Sequence, residues 1–78
     1  MTSRYSIAIQ WSTEDACYVV FLPDFAAVVN QPCTHGATYE EALKHGQEVI
    51  ESLIDWLQEE GKPVPEPRVF PQMPLEVA

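Results

Sequence analysis

The clearest pattern in the chain is an early alternation of apolar and polar residues. From 5 to 11 the sequence Tyr-Ser-Ile-Ala-Ile-Gln-Trp places an apolar side chain at every second position, which predicts a half-buried β-strand. Polar turn residues at 12–15 follow, and a more uniformly apolar strand at 17–22 ends at Pro23. Two strands joined by such a short turn predict a hairpin. Four side chains of the first strand are expected to face the core: Tyr5, Ile7, Ile9 and Trp11.

The spacing of apolar residues changes to a helical period after residue 38. Thr38 and Glu41 match a capping box, in which the Thr38 hydroxyl accepts from the Glu41 N–H and the Glu41 carboxylate accepts from the Thr38 N–H. Gly61 and the proline after it are typical of a helix end, so the sequence predicts one helix from Thr38 to Gly61. Its apolar stripe has three-and-four spacing and contains Tyr39, Ala42, Leu43, Gly46, Val49, Ile50, Leu53, Ile54 and Leu57.

Gly46 stands in the middle of this helix, where glycine costs about 1 kcal/mol relative to alanine. We therefore expect a sheet residue, such as an aromatic one, to approach the helix backbone there. A short third strand is expected at 26–29, because an isolated hairpin is only marginally stable. The prediction is a single α+β domain over residues 1–78, a small antiparallel β-β-β-α sheet covered by one long helix.

Residues 62–78 form a proline-rich, extended C-terminal tail that holds five of the seven prolines. Val64, Val69 and Phe70 are candidates for a short fourth strand or a clip across the sheet. The tail is equally compatible with ordering by another chain.

Composition limits the possible partners. A chain of 78 residues buries only about 60% of the surface it exposes when unfolded, so we expect a homo-oligomer, a dimer or a tetramer. Four basic residues against twelve acidic ones give a net charge of −8, which disfavours direct nucleic-acid binding by this chain alone. The same charge suits a basic protein partner, although acidity also simply keeps small proteins soluble. The chain has no long apolar run or signal-peptide core, so we expect no membrane association and a cytoplasmic location.

Few residues are placed for catalysis. Asp15 and Asp24 lie near opposite ends of the second strand, whereas two-metal chemistry needs several converging carboxylates. Cys17 and Cys33 have no partner at metal-ligand spacing, and we expect both to be free thiols. We therefore predict no catalytic, cofactor or metal residues, and no enzyme activity. His35, placed in the loop before the helix, and His45, at the helix rim, are read chiefly as structural, with a partner contact as the alternative for His35. Trp56 is either a half-exposed interface anchor or covered by the tail.

The order of these motifs resembles the N-terminal domain of HicB-family antitoxins. The resemblance rests on Tyr5, Ile7 and Ile9, on Tyr18-Val-Val-Phe-Leu-Pro-Asp24, on Cys33-Thr-His-Gly36, and on Thr38 with Glu40-Glu41-Ala42-Leu43. It implies a partial RNase H-like fold without nuclease activity that neutralises HicA, a small basic mRNA-cleaving toxin. The chain departs from the family at Pro32, where a glycine is typical, and the proline-rich residues after Pro63 are not expected to form the DNA-binding domain that many members carry.

The resemblance and the charge together lead to a predicted function. We expect a non-catalytic antitoxin that binds a basic HicA-like toxin. The alternatives are a degenerate RNase H-like nuclease and an orphan regulatory or structural module without a toxin. The predicted partner-binding residues are Asp24, His35, Trp56, Glu66, Arg68 and Phe70.

Overall fold

A three-stranded antiparallel sheet is covered on one face by one long helix in this protein, whose computed structural model describes residues 4–70. The predicted α+β class is confirmed. The strands are β1 (Ala8–Ser12), β2 (Cys17–Phe21) and β3 (Thr34–Gly36), in the order β1-β2-β3, and the helix α1 is Tyr39–Glu59. A short 3-10 helix, Pro23–Phe25, follows β2.

The predicted hairpin is confirmed, although β1 is shorter than the strand expected at 5–11. Trp11 pairs with Tyr18 and Ala8 with Phe21, so β1 and β2 are in register along their whole length. The turn is closed by Ser12 and Asp15: the Ser12 hydroxyl donates to the Asp15 carboxylate at 3.0 Å and accepts from the Asp15 N–H at 3.3 Å. These local bonds fix where the first strand ends.

The third strand does not lie at 26–29, and that prediction is wrong. The carbonyl of Phe25 accepts from the N–H groups of both Val28 and Val29, which holds this segment in a helical turn. The third strand is β3, in the segment that the sequence analysis read as a loop before the helix. It pairs antiparallel with β2, Val19 lying opposite His35, so His35 is a strand residue.

A glutamine side chain extends the sheet where β3 has not yet begun. The Gln31 amide donates to the Leu22 carbonyl at 3.0 Å, and its side-chain oxygen accepts from the Leu22 N–H at 2.9 Å. Gln31 thereby satisfies both backbone groups of a fully buried residue. The following peptide bond, to Pro32, is cis.

Both ends of α1 follow the predicted chemistry, with one difference. The Thr38 hydroxyl accepts from the Glu41 N–H at 3.1 Å, but the Glu41 carboxylate accepts from the N–H of Ala37 and not of Thr38. At the other end Gly61 has a left-handed φ of 67°, its N–H donates to the Gln58 carbonyl, and the Lys62 N–H donates to the Leu57 carbonyl. These two hydrogen bonds together form a Schellman motif, which ends the helix.

The core lies between the inner face of the sheet and the helix. Gly46 is buried where the helix crosses the sheet: a Cβ added there would lie 3.1 Å from Val20 and 3.4 Å from Ile7. The expected approach of sheet residues to Gly46 is confirmed, although these neighbours are aliphatic. The fully buried apolar residues are Val20, Leu22, Phe25, Ala42, Ile50 and Leu57.

Trp11 is not part of this core, which corrects the prediction for the first strand. Its side chain is 54% exposed and packs edge-on against Tyr18, with ring centroids 5.1 Å apart. The first residues of the helix stripe, Tyr39 and Leu43, are also exposed. Tyr39, the first residue of α1, lies at this end of the sheet, with its ring centroid 4.3 Å from that of Tyr18.

Residues 62–70 contain no strand, so the fourth strand is not formed in the described part of the tail. The segment instead lies beside the residues that precede β1, since the Tyr5 hydroxyl donates to the Pro65 carbonyl at 2.6 Å. The alternative of a clip across the sheet stays a prediction. The predicted tail beyond residue 70 lies outside the described residues.

Candidate functional site

A shallow groove of about 580 Å³ separates the edge strand β3 from one flank of α1. The strand contributes the upper wall, and successive turns of the helix contribute the lower wall, because residues three and four apart share a helix face. The groove is lined by Thr34, His35, His45, Glu48, Val49, Ser52, Leu53 and Trp56.

His45 joins the two walls of this groove. Its Nδ1 lies 2.6 Å from the backbone carbonyl oxygen of His35. A carbonyl only accepts hydrogen bonds, so Nδ1 carries the hydrogen and Nε2 of the neutral ring is an acceptor. The bond holds the half-buried imidazole across the junction of strand and helix.

The far end of the groove is apolar. Val49 and Leu53 are half-buried, whereas Trp56 is 42% exposed, so its ring is available to a partner. The Lys62 ammonium lies 4.7 Å from the centroid of the Trp56 ring, within the range of a cation–π contact. The tail therefore touches Trp56 without burying it.

The rim of the groove is acidic. Glu48 lines it directly, and Asp55 and Glu59 are exposed along the same outward side of the helix. None of the residues that line the groove is a lysine or an arginine, although the Lys62 ammonium lies over the Trp56 ring at its end. A chain with a net charge of −8 thus presents an apolar floor beside carboxylates, which suits a basic ligand with an apolar anchor.

The structure divides the six predicted partner-binding residues between two places. His35 and Trp56 both line the groove, at its two ends. Glu66, Arg68 and Phe70 lie in the extended segment after the helix, where all three are exposed. Asp24 is half-buried and belongs with that segment, because its carboxylate accepts from the Arg68 N–H at 3.2 Å.

Asp24 also holds the beginning of the chain. Its second carboxylate oxygen accepts from the Ser6 N–H at 2.9 Å, so one side chain ties the segment before β1 to the segment after α1. Charge-assisted hydrogen bonds of this kind are stronger than neutral ones. The geometry gives Asp24 an internal, positioning role.

Replacing Asp24 with alanine is expected to lower the free energy of unfolding by about 1–2 kcal/mol, because two bonds to a carboxylate are lost. Asp24→Asn keeps one acceptor oxygen and should lose about half as much. Urea denaturation of both variants measures the difference, with Asp55→Ala as an exposed control that should change stability by less than about 0.5 kcal/mol. A variant of normal stability that lost partner binding would contradict this role.

The two thiols are free and lie near the outer face of the sheet. The Cys33 thiol donates to the Val20 carbonyl at 3.5 Å. Burial raises the pKa of the Cys33 thiol, only partly offset by backbone hydrogen bonds, so the reactive thiolate is scarce at neutral pH. Among residues 4–70, no three His, Cys, Asp or Glu side chains are grouped to hold a metal ion.

Of the eight residues that line the groove, the sequence indicated only His35 and Trp56 as partner-binding. The sequence places Val49 and Leu53 in the apolar stripe and His45 at the helix rim, and it does not single out Glu48 as a partner contact. The spacing of 45, 49, 52 and 56 does place one helix flank together. What was missing was the strand beside it, since β3 was not predicted.

Comparison with protein-family models, with curated proteins and with solved structures found no match to this chain. Among residues 4–70, no helix combines the length and the hydropathy needed to cross a lipid bilayer.

Proposed function

We propose that this protein is a non-catalytic binding module that captures a basic protein in the groove between β3 and α1. The observation that carries the proposal is the lining of that groove, where an exposed tryptophan and aliphatic side chains lie beside glutamate. Half-exposed tryptophans surrounded by polar groups are frequent anchors of protein interfaces.

The net charge of the chain limits the class of partner that we expect. A net charge of −8 repels phosphate backbones and accelerates encounter with positively charged proteins. A ligand for this groove therefore carries lysine or arginine next to an apolar side chain. The apolar side chain would lie against Trp56 and Leu53, and the basic group beside Glu48.

The resemblance to HicB-family antitoxins gives this partner a class. In our proposal the ligand is a HicA-type toxin, a small basic mRNA-cleaving protein, and binding blocks the surface with which it holds RNA. The short helix-flanked groove and the acidic outer face of α1 support this reading. They supply the negative charge that the phosphate groups of RNA would otherwise supply to such an RNA-binding surface.

The direct test is to look beside this chain's gene for a short open reading frame that encodes a small basic protein, and to co-express the two proteins. A stable complex on size-exclusion chromatography, with loss of the partner's ribonuclease activity on mRNA, is the expected result. Absence of a complex with a folded, active toxin of this class would defeat the proposal.

A charge reversal in the groove should distinguish binding at a specific site from attraction by the net negative charge alone. Glu48→Lys is expected to weaken the complex about tenfold, or about 1.4 kcal/mol, in isothermal titration calorimetry. The matched control is Glu51→Lys, which makes the same change on an exposed residue of the same helix that does not line the groove. Equal weakening by both variants would show that only net charge matters.

A further inference from the structure

A second surface of the protein is a row of three aromatic rings at the hairpin end of the sheet. The Trp11 and Tyr18 ring centroids are 5.1 Å apart and meet edge-on, and those of Tyr18 and Tyr39 are 4.3 Å apart. Trp11 is 54% and Tyr39 63% exposed. We refer to these three residues as the aromatic ladder, and none of them lines the groove.

Carboxylates lie on both sides of the aromatic ladder along the chain. The hairpin turn that follows Trp11 carries Glu14, and the first turn of the helix carries Glu40 directly after Tyr39. Both side chains are exposed. An aromatic surface with an acidic border suits a ligand that combines flat, rigid apolar rings with a positive charge.

Proline-rich segments are ligands of this kind. A polyproline II helix is preformed, so it loses little entropy on binding, and its proline rings pack against aromatic side chains. The helix has three residues per turn, so residues three apart lie on one face. Recognition therefore calls for prolines at a spacing of three, with a basic residue on the same face.

This chain contains such a ligand itself. Its sequence from 68 to 74 is Arg-Val-Phe-Pro-Gln-Met-Pro, which places Arg68, Pro71 and Pro74 at intervals of three. The three would share one face of a polyproline II helix. Arg68 is one of only four basic residues in the chain, and its side chain is exposed.

We propose that the aromatic ladder binds the Arg68–Pro74 segment of a second copy of this chain. Pro71 and Pro74 pack on the Trp11 and Tyr39 rings, and Arg68 pairs with the acidic border. Reciprocal exchange of the two segments closes a dimer, because both copies then use the same two surfaces. The proposal is independent of the groove and of its partner.

A chain cannot bring its own Arg68 and Pro71 to its own ladder. Asp24 accepts from both the Ser6 N–H and the Arg68 N–H, so Arg68 is held level with residue 6. Trp11 lies five residues further along an extended segment, about 16 Å away. Pro71 and Pro74 follow Arg68 by three and six residues, which span about 9 and 19 Å in a polyproline II helix. One chain could therefore bring Pro74 to its own Trp11, but it could not bring Arg68 there as well. The geometry therefore selects a second copy.

A peptide comprising residues 66–78, labelled with a fluorophore, tests the recognition. The receptor is the full chain with Pro71→Ala and Pro74→Ala, in which the ladder is intact but its own ligand is disabled. Saturable binding by fluorescence anisotropy is expected, weakened at least about tenfold by Trp11→Ala or Tyr39→Ala in the receptor. Trp56→Ala, which removes the other exposed tryptophan, should have no effect.

Controls in the peptide and in the oligomer complete the test. Arg68→Glu and the double alanine exchange of Pro71 and Pro74 should each weaken peptide binding about tenfold. Analytical ultracentrifugation should show a dimer for the unaltered chain and monomers for the Trp11→Ala and Pro71→Ala/Pro74→Ala variants, with circular dichroism confirming that each is folded. The proposal is overturned if the peptide does not bind, if dimers survive both variants, or if the unaltered chain is monomeric.

Discussion

Replacing Gly36 with alanine is expected to destabilise the protein by about 3 kcal/mol or more, at or above the upper end of the usual cost of overpacking, because backbone atoms would have to move. A Cβ at this position would lie 2.4 Å from the backbone nitrogen of Ala42 and 2.7 Å from its Cα. Both are backbone atoms in the first turn of α1, so no rotamer change relieves the overlap. A domain of this size has a total stability of only about 4–12 kcal/mol. At the lower end of that range, much of the population should unfold.

Urea denaturation followed by circular dichroism measures this loss. Gly61→Ala is the matched control, since an added Cβ there meets nothing within 4 Å and the cost comes only from its left-handed φ of 67°. That cost should be about 1–2 kcal/mol. Equal stability of the two variants would show that β3 and α1 do not approach as closely as the structure indicates.

Phe25→Ala should be about as damaging, with a loss of about 3–5 kcal/mol. The Phe25 side chain is fully buried, and its ring centroid lies 4.8 Å from that of Tyr5. Truncation leaves a cavity that is filled only partly, because other residues of the same core cluster are anchored in β2 and α1. It also loosens Tyr5, whose hydroxyl bonds to the Pro65 carbonyl.

Thermal unfolding monitored by the same signal tests this second expectation. Phe70→Ala makes the identical chemical change at a side chain that is 72% exposed, and its stability should stay within about 0.5 kcal/mol of the unaltered chain. The contrast between the two phenylalanines isolates burial from residue type. A small effect of Phe25→Ala would argue against the described core.

The helix was predictable because its signals are local. Thr38 supplies the cap, three-and-four spacing supplies the stripe, and Gly61 supplies the stop, all within one contiguous segment. The hairpin was predictable for the same reason, since its register is fixed by a short turn. Helix, hairpin and α+β class all follow from neighbouring residues.

The third strand was not predictable from such signals. β3 has only three residues, too few for a period of two to be recognised. It forms because Gln31 extends the pairing from Leu22 and because Gly36 admits the helix backbone at close range. The error at 26–29 has the same origin: apolar residues there pack in a turn, which composition alone does not distinguish from a strand.

The candidate groove could not be predicted because β3, the strand that forms one of its walls, was not predicted. His35 and Trp56 were named as partner-binding residues from the sequence, yet nothing indicated that they lie along one groove. The exposure of Trp11 was missed because alternation predicts a face and not how far the covering helix extends. The groove and the exposure of Trp11 both depend on how the helix and the sheet pack together, which local sequence patterns do not show.

The bond between His45 and the His35 carbonyl has a consequence for aggregation. The two outer strands of an open sheet present backbone groups that can template pairing with other chains. At β3 the helix supplies a side chain to one such carbonyl, and the helix itself stands against this edge. Growth of the sheet through β3 would have to displace His45 first. A strand added by a partner or by a misfolded copy should therefore pair more easily with the β1 edge than with the β3 edge.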